Sequence, residues 1–358
     1  MNNLFNSILS KKNTMSKNIY NKILNSEPII IAEAGVNHNG YKSIGKKLID
    51  AAKRAGADCI KFQTYKSNKL TTKTAKRFWS WDGEKKKRGT QHDSYSTLDS
   101  FEYEDYKYLA DYCKQKKIEF QSTPFDLESV KLLERLKVRT YKIASCDITN
   151  HQLIKEVAKT KKPIFLSTGA ANISEINEAV KIINKYHKKI VIMHCTLCYP
   201  TKIADANLKS ISFIKKKFPN YSIGLSDHTL ETLTPSLAIA LGALAIEKHF
   251  TINKKLKKSA DHWLSVDEKE LSKIVDEVKF TKLALGEEKK VSLHCELLAK
   301  KNARRSLVCS TKIKKGEKFT EKNLTCKRPG IGIPANKYLN YIGKKAKKNY
   351  KYDDLINE

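Results

Sequence analysis

Lys61 and Gln63 stand two residues apart in the run CIKFQT, and a β-strand sends both side chains to the same face. Lys142 and Ser145 close TYKIAS, Ser122 and Thr123 close IEFQSTP, and Ser167, Thr168 and Gly169 close PIFLSTG. Two ammonium groups, several hydroxyls and turn amides gathered at neighbouring strand ends make a pocket for a small phosphorylated or carboxylated anion. A lysine buried in a strand is costly unless it meets an anion, so Lys61 and Lys142 read as ligand-binding groups. Glu33, near the end of IIIAEAG, is a candidate general acid or base. His228 in SDHT and His249 in EKHF end two further runs. Imidazoles on adjacent strand ends can hold one divalent cation, with positions left for water and a substrate oxygen. Asp227, Glu247 and Asp261 are nearby acids able to orient them. Asn37, His38 and Asn39 form a polar turn whose plain reading is loop chemistry, and Cys195 with Cys198 has redox or zinc spacing but no second pair.

The elements that position these residues are eight apolar runs: IIIAEAG (29–35), CIKFQT (59–64), IEFQSTP (118–124), TYKIAS (140–145), PIFLSTG (163–169), IVIMHCT (190–196), SIGLSD (222–227) and ALAIEKH (243–249). Segments of helical period lie between most of them; Ile173, Ile176, Val180 and Ile183 show the stripe most clearly. Eight strands alternating with helices specify a parallel (β/α)8 TIM barrel, an α/β fold whose C-terminal strand ends share one pocket. Further helices are expected over 102–117, 127–136, 154–159, 208–216, 230–241 and 267–285, the last ended by Gly286. Residues 64–101 break the rhythm with a long loop carrying Trp79 and Trp81, either a lid or substrate wall or a plain surface insertion.

The chain of 358 residues exceeds one barrel of about 250, so a second small domain is expected. The division is a flexible leader over 1–25 with Met15 as an alternative start, a barrel over 26–285, a linker over 286–305 and a compact tail over 306–358. The net charge of +31 fits a polyanion partner, an acidic substrate or a lysine-biased composition. The lysines are spread along the chain without the interleaved aromatics of a stacking platform, which argues against a nucleic acid partner. The tail is the most basic segment, with thirteen Lys or Arg against two Glu between 306 and 351. Eight cysteines without a paired framework suit a reducing cytoplasm, and no apolar run reaches the ~18 residues that span a bilayer.

The strings IAEAGVNHNG, GADCIKFQT, STPFDLES, YKIAS, LSTGA, HCTLCYPT, GLSDHT, ALGALAIEKHF and KRPGIGI, in this order over residues 28–351, resemble the sialic acid synthases. That family condenses phosphoenolpyruvate with an N-acylated amino sugar. The resemblance implies a TIM barrel followed by a C-terminal antifreeze-like SAF domain of β-clip type, and a domain-swapped homodimer in which one tail closes the partner's site. It implies that Lys61, Thr123, Lys142, Ser145, Ser167 and Ser226 bind the phosphate and carboxylate of phosphoenolpyruvate, and that His228 and His249 hold a manganese-type ion, with Mg2+ or Co2+ as alternatives. Glu33 matches the catalytic acid, Gln63, Asp147, Tyr199 and Asp261 line the amino-sugar pocket, and Arg328 comes from the partner's tail. Three positions depart from the family pattern: Leu197 replaces a hydrogen-bonding residue, Asp147 replaces Glu, and Ser259-Ala260 replaces Gly-Pro. The implied reaction is N-acetylneuraminate synthesis from an N-acetylmannosamine-type acceptor, with release of phosphate. The alternatives are a legionaminate or pseudaminate synthase using a di-N-acetylated 6-deoxyhexose, a metal-dependent aldolase or related 3-deoxy-sugar-acid synthase, and a non-catalytic carbohydrate- or polyanion-binding protein. AEAGVNHNG and STPFDLES lean toward the legionaminate branch.

Overall fold

Three strands coincide with the expected runs residue for residue: β1 (Ile29–Gly35), β2 (Cys59–Thr64) and, later in the chain, β7 (Ser222–Asp227). The others, β3 (Glu119–Pro124), β4 (Tyr141–Ile143), β5 (Ile164–Ser167), β6 (Ile190–Cys195) and β8 (Ala245–His249), differ from their runs by one or two residues at an end. The computed structural model describes residues 18–79 and 89–357; Met15, Trp81 and the leader up to residue 17 lie outside them. All eight strands are parallel, in the order β3-β2-β1-β8-β7-β6-β5-β4. β3 lies beside β4, where Gln121 Nε2 donates to Thr140 Oγ1 at 2.9 Å, and the sheet becomes a barrel.

Alternation along each strand divides two environments. Outward residues such as Ile30, Ile60, Phe62 and Leu166 pack on Leu48, Leu109, Leu133, Ile154, Ile183 and Ile274 of the surrounding helices. Inward residues are stacked by polarity. The lower interior is apolar, made of Ile29, Ile31, Cys59, Phe165, Val191, Met193 and Ala245. One step along each strand toward the C-terminal rim the interior is polar and charged, with Glu33, Lys61, Thr123, Lys142, Ser167, Ser226 and Glu247 all buried.

The flexible leader expected over 1–25 is corrected at its end, because Ile19–Leu24 is a helix. Ile19 and Ile23, four residues apart and so on one helix face, enter the apolar cluster at the barrel's lower end. The Ile19 amide donates to Glu119 Oε2 at 3.0 Å, and Lys22 pairs with Asp58 at 2.5 Å. Elsewhere the helix expected over 154–159 starts at His151, because the Asn150 side chain caps it by accepting from the Leu153 amide. The helix expected over 230–241 starts only at Thr234, with Pro235 in its first turn.

Residues from Glu287 onward form a second compact unit. In the expected linker, Leu297–Ala303 is a helix, consistent with the helix-forming LLAKKNA composition. An antiparallel pair, β9 (Ser306–Cys309) and β10 (Leu324–Lys327), packs Leu307, Leu324, Phe319 and Tyr350 into a core of its own. Among the described residues no helix is long and apolar enough to cross a membrane.

Candidate active site

The polar layer opens into a cavity of about 1200 Å3 at the C-terminal rim of the barrel. Its floor is a group of two cations and two carboxylates. Lys61 Nζ lies 2.7 Å from Glu33 Oε2 and 3.8 Å from Glu247 Oε1, and it donates to Thr123 Oγ1 at 3.0 Å. Lys142, from the far side of the barrel, reaches the same Glu247 Oε1 at 3.0 Å, and Ser226 Oγ donates to it at 3.0 Å. Gln63 Nε2 donates to Glu33 Oε1 at 3.1 Å. The two carboxyls titrate apart. Burial pushes Glu33 up to about 7, outweighing the lowering pull of Lys61. Burial also raises Glu247, but Lys142 and Lys61 outweigh it and hold that carboxyl down at about 2.

Ser145, in the 3-10 turn after β4, accepts from the Gly169 amide at 2.9 Å, so two neighbouring strand ends share one hydroxyl. Ser167 Oγ and Glu247 Oε2 are buried with no hydrogen-bond partner among the described residues. The orphaned Ser167 hydroxyl can donate to a ligand in the cavity, whereas the Glu247 oxygen, on an ionised carboxylate, can only accept. Lys61, Thr123, Lys142, Ser145, Ser167 and Ser226 therefore converge, on five strand ends and one turn, around space for one small anion.

His228 and His249 meet beside this floor, with ring centroids 5.4 Å apart. The Thr196 carbonyl accepts from His228 Nδ1 at 2.8 Å, which places a proton on Nδ1, so that in the neutral ring it is Nε2 that carries the lone pair. His249 Nδ1 is buried without a hydrogen bond, 3.8 Å from Asp261 Oδ2. Burial raises the Asp261 carboxyl to about 6. The Tyr199 ring packs against His228, with centroids 4.0 Å apart, and meets His249 edge-on, with centroids 5.8 Å apart. Among the described residues no set of three or more His, Cys, Asp or Glu could enclose an ion. Two imidazoles with available nitrogens fit a divalent cation that takes its remaining ligands from water and substrate.

The upper wall is apolar and comes largely from the long loop. Phe78, Trp79, Tyr95 and Leu98 line the cavity with Phe125 and Trp263. Their rings form a chain: Trp79 lies 5.6 Å from Tyr95, Tyr95 lies 5.6 Å from Tyr65, and Tyr65 lies 6.1 Å from Phe125. The loop thus forms one wall of the cavity. Leu197, the first departure from the family pattern, also lines the cavity, beside Gly169 and Cys195, as do Ser259 and Ala260.

Some expectations differ from the structure. Asp147 is absent from the cavity lining; it accepts from Asn150 Nδ2 at 3.1 Å, while its neighbour Cys146 faces the cavity. Asp227 does not orient the histidines, because it points to the outer face of β7 and pairs with Lys248 at 2.7 Å. Glu247 serves the lysines rather than the imidazoles. Asn37, His38 and Asn39 are structural. Asn37 donates to the Phe250 carbonyl, His38 stacks on Phe101 at 3.9 Å, and Asn39 Oδ1 lies 2.9 Å from His262 Nε2, bracing the turn that carries Asp261. Cys195 is buried and Cys198 exposed, and Cys198 Sγ turns to the Pro200 carbonyl. Arg328 lies in the second unit and is exposed there.

Residues 48–290 match the NeuB family model, and residues 304–357 match the SAF domain model. The chain belongs to the NeuB family. It is 41% identical over 336 residues to N,N'-diacetyllegionaminic acid synthase of Campylobacter jejuni, covering 92% of this chain and 99% of that protein. Pseudaminic acid synthase of the same organism is 38% identical over 333 residues, covering 92% of this chain and 95% of that one. The crystal structure of N-acetylneuraminic acid synthetase from Leptospira borgpetersenii superposes with a TM-score of 0.68 at 35% identity, covering 76% of this chain and 90% of that chain. This NeuB-family protein is a phosphoenolpyruvate-dependent sugar-acid synthase, and the non-catalytic reading is set aside.

Proposed function

We propose that the enzyme condenses phosphoenolpyruvate with a di-N-acetylated 6-deoxyhexose to give a legionaminate-type nine-carbon acid, with release of phosphate. The observation that carries it is the division of one cavity into a charged floor that presents Lys61 and Lys142 and an aromatic side wall. The floor suits the doubly charged small substrate. The wall suits an acceptor rich in methyl groups, and Leu197 places another apolar side chain where the family carries a polar one. The 41% identity to a protein named N,N'-diacetyllegionaminic acid synthase points the same way. This reading places the diacetylated acceptor ahead of N-acetylmannosamine, which the sequence alone placed first.

In this reading Lys61 and Lys142 hold the phosphate and carboxylate, while Thr123, Ser145, Ser167 and Ser226 supply hydroxyls. C3 of phosphoenolpyruvate forms a bond to the acceptor's carbonyl carbon, and the carbonyl oxygen takes up a proton. Water adds to the cationic C2 and Glu33 accepts one of its protons; the C2–O bond to phosphate then breaks as the C2 hydroxyl passes its proton to the departing phosphate, leaving the keto acid. Gln63 orients Glu33 by its hydrogen bond, and Tyr199 and Asp261 face the acceptor. His228 and His249 would hold a divalent ion, manganese first with magnesium or cobalt as substitutes; when bound it supplies polarisation of the acceptor carbonyl. The same reading carries a homodimer in which the partner chain supplies Arg328 to the acceptor.

The test supplies phosphoenolpyruvate and Mn2+ with each acceptor in turn, measuring inorganic phosphate and the nine-carbon product. A kcat/KM for the diacetylated acceptor at least ten times that for N-acetylmannosamine is expected; the reverse preference would overturn the acceptor assignment, and no phosphate with any acceptor would overturn the reaction. Trp79→Ala, which removes one end of the ring chain, is expected to raise the acceptor's KM about tenfold and to leave that of phosphoenolpyruvate unchanged, as losing about 1.4 kcal/mol of contact implies. Steady-state titration of each substrate separates the two effects.

A further inference from the structure

Lys248 has one of the largest fully buried side chains in the molecule, and its charge lies on the opposite face of β8 from the site. Glu247 and His249 point into the barrel, so Lys248 between them points out. Its Nζ meets Asp227 Oδ2 at 2.7 Å, the Thr229 carbonyl at 2.5 Å, the Glu231 carbonyl at 3.0 Å and Thr229 Oγ1 at 3.3 Å. Asp227 is the cross-strand partner of Lys248 in the β7–β8 register and also accepts from the Thr229 amide at 2.9 Å and from Thr234 Oγ1 at 2.7 Å. Every one of these oxygens belongs to the segment 227–231 that brackets His228. One cation, carried by the residue before His249, therefore holds the segment that carries His228.

We propose that Lys248 is a positioning residue that fixes the spacing of the His228 and His249 imidazoles through the outer face of the barrel. The proposal rests on the reading of the histidine pair as an ion and acceptor subsite. The inner-face contact in the same register, Ser226 to Glu247, belongs to the anion floor and is tied independently to Lys142. Loss of the Lys248 staple thus acts on the histidine side of the cavity and spares the phosphoenolpyruvate side. Without the ammonium, the Thr229 and Glu231 carbonyls lose this donor and the buried Asp227 carboxylate loses its cation, so the turn must move to find replacements. A displacement of about 1 Å at a positioned group can cost on the order of 100-fold in rate.

The experiment compares wild type, Lys248→Met and a control, Val278→Ala, which removes buried bulk from the helix Glu268–Leu285 away from the site. Mn2+ binding without substrates is read from the electron paramagnetic resonance of the free ion, and KM is measured for each substrate. Lys248→Met is expected to bind Mn2+ at least tenfold more weakly and to raise the acceptor's KM by a similar factor, with the KM of phosphoenolpyruvate within twofold. The control is expected to lose thermal stability without either effect. Mn2+ affinity and acceptor KM both within twofold of wild type in Lys248→Met would overturn the proposal, as would equal effects in the control. A wild type that binds no Mn2+ would sink the ion reading alone, and the acceptor KM then decides the positioning role. Should Lys248→Met not fold, Asp227→Asn, which keeps the shape and the carbonyl contacts, is expected to move the same readouts in the same direction by a few-fold; no change there would overturn it.

Discussion

Lys61→Ala is expected to lower phosphate release from phosphoenolpyruvate by on the order of 100-fold or more while leaving a folded protein. The size of the first effect follows from removing a preorganised cation from a site where charge gathers during reaction. The second follows from the groups left behind. Breaking a buried ion pair ordinarily costs about 3–5 kcal/mol, because one charge remains without a partner. Here the stranded carboxyl is Glu33, which burial already raises to about 7 against the lowering influence of Lys61. Removing that influence moves Glu33 further up, so at neutral pH it takes a proton and ceases to be a buried charge. Glu247 keeps Lys142 at 3.0 Å. Activity should therefore fall far more than the melting temperature, and release within tenfold of wild type would count against Lys61 as a phosphoenolpyruvate ligand. Thermal unfolding beside a phosphate assay provides both numbers.

The second large effect concerns the histidine pair. Exhaustive chelation is expected to abolish product formation and added Mn2+ to restore it, whereas His249→Ala is expected to be inactive at any Mn2+ concentration tested. His249 Nδ1 is buried and unbonded, so the imidazole serves no hydrogen bond at that atom that its removal would break. A loss of function without a comparable loss of stability then points to a ligand rather than a packing role. Full activity in the chelated enzyme would remove the ion from the mechanism.

Much of this was legible from residue order because a strand's period is two. Glu33, Lys61 with Gln63, and Ser167 lie in phase with the inward apolar residues of their strands, Thr123 is in phase with Gln121 and out of phase with the outward Phe120, and the same rule places Ser226 and His228 together. Applied one step further it would have excluded Asp227, which is out of phase with both neighbours. What spacing cannot convey is reach. Glu247 is in phase with His249, yet its partners are lysines on β2 and β4 whose long side chains cross the interior, and only the closed barrel brings them to one oxygen. Asp147 fails for a local reason: a 3-10 turn follows β4, so strand parity no longer decides direction, and Asn150 claims the carboxylate. The Ile19–Leu24 helix was written in the four-residue spacing of its two isoleucines, but six residues are too few to stand out against a lysine-rich leader.

The isoleucine plug at the lower end has a kinetic corollary. A well stoppered at its base admits traffic through a single opening, and Lys61 and Lys142 lie below the level of Trp79 and Tyr95, buried where the aromatic residues are only half covered. On the proposed reading phosphoenolpyruvate would arrive on the lysines before the sugar seats above it, and phosphate would leave after the joined nine-carbon product. Compulsory-order turnover, with the acceptor as the last to enter, is the signature of that geometry.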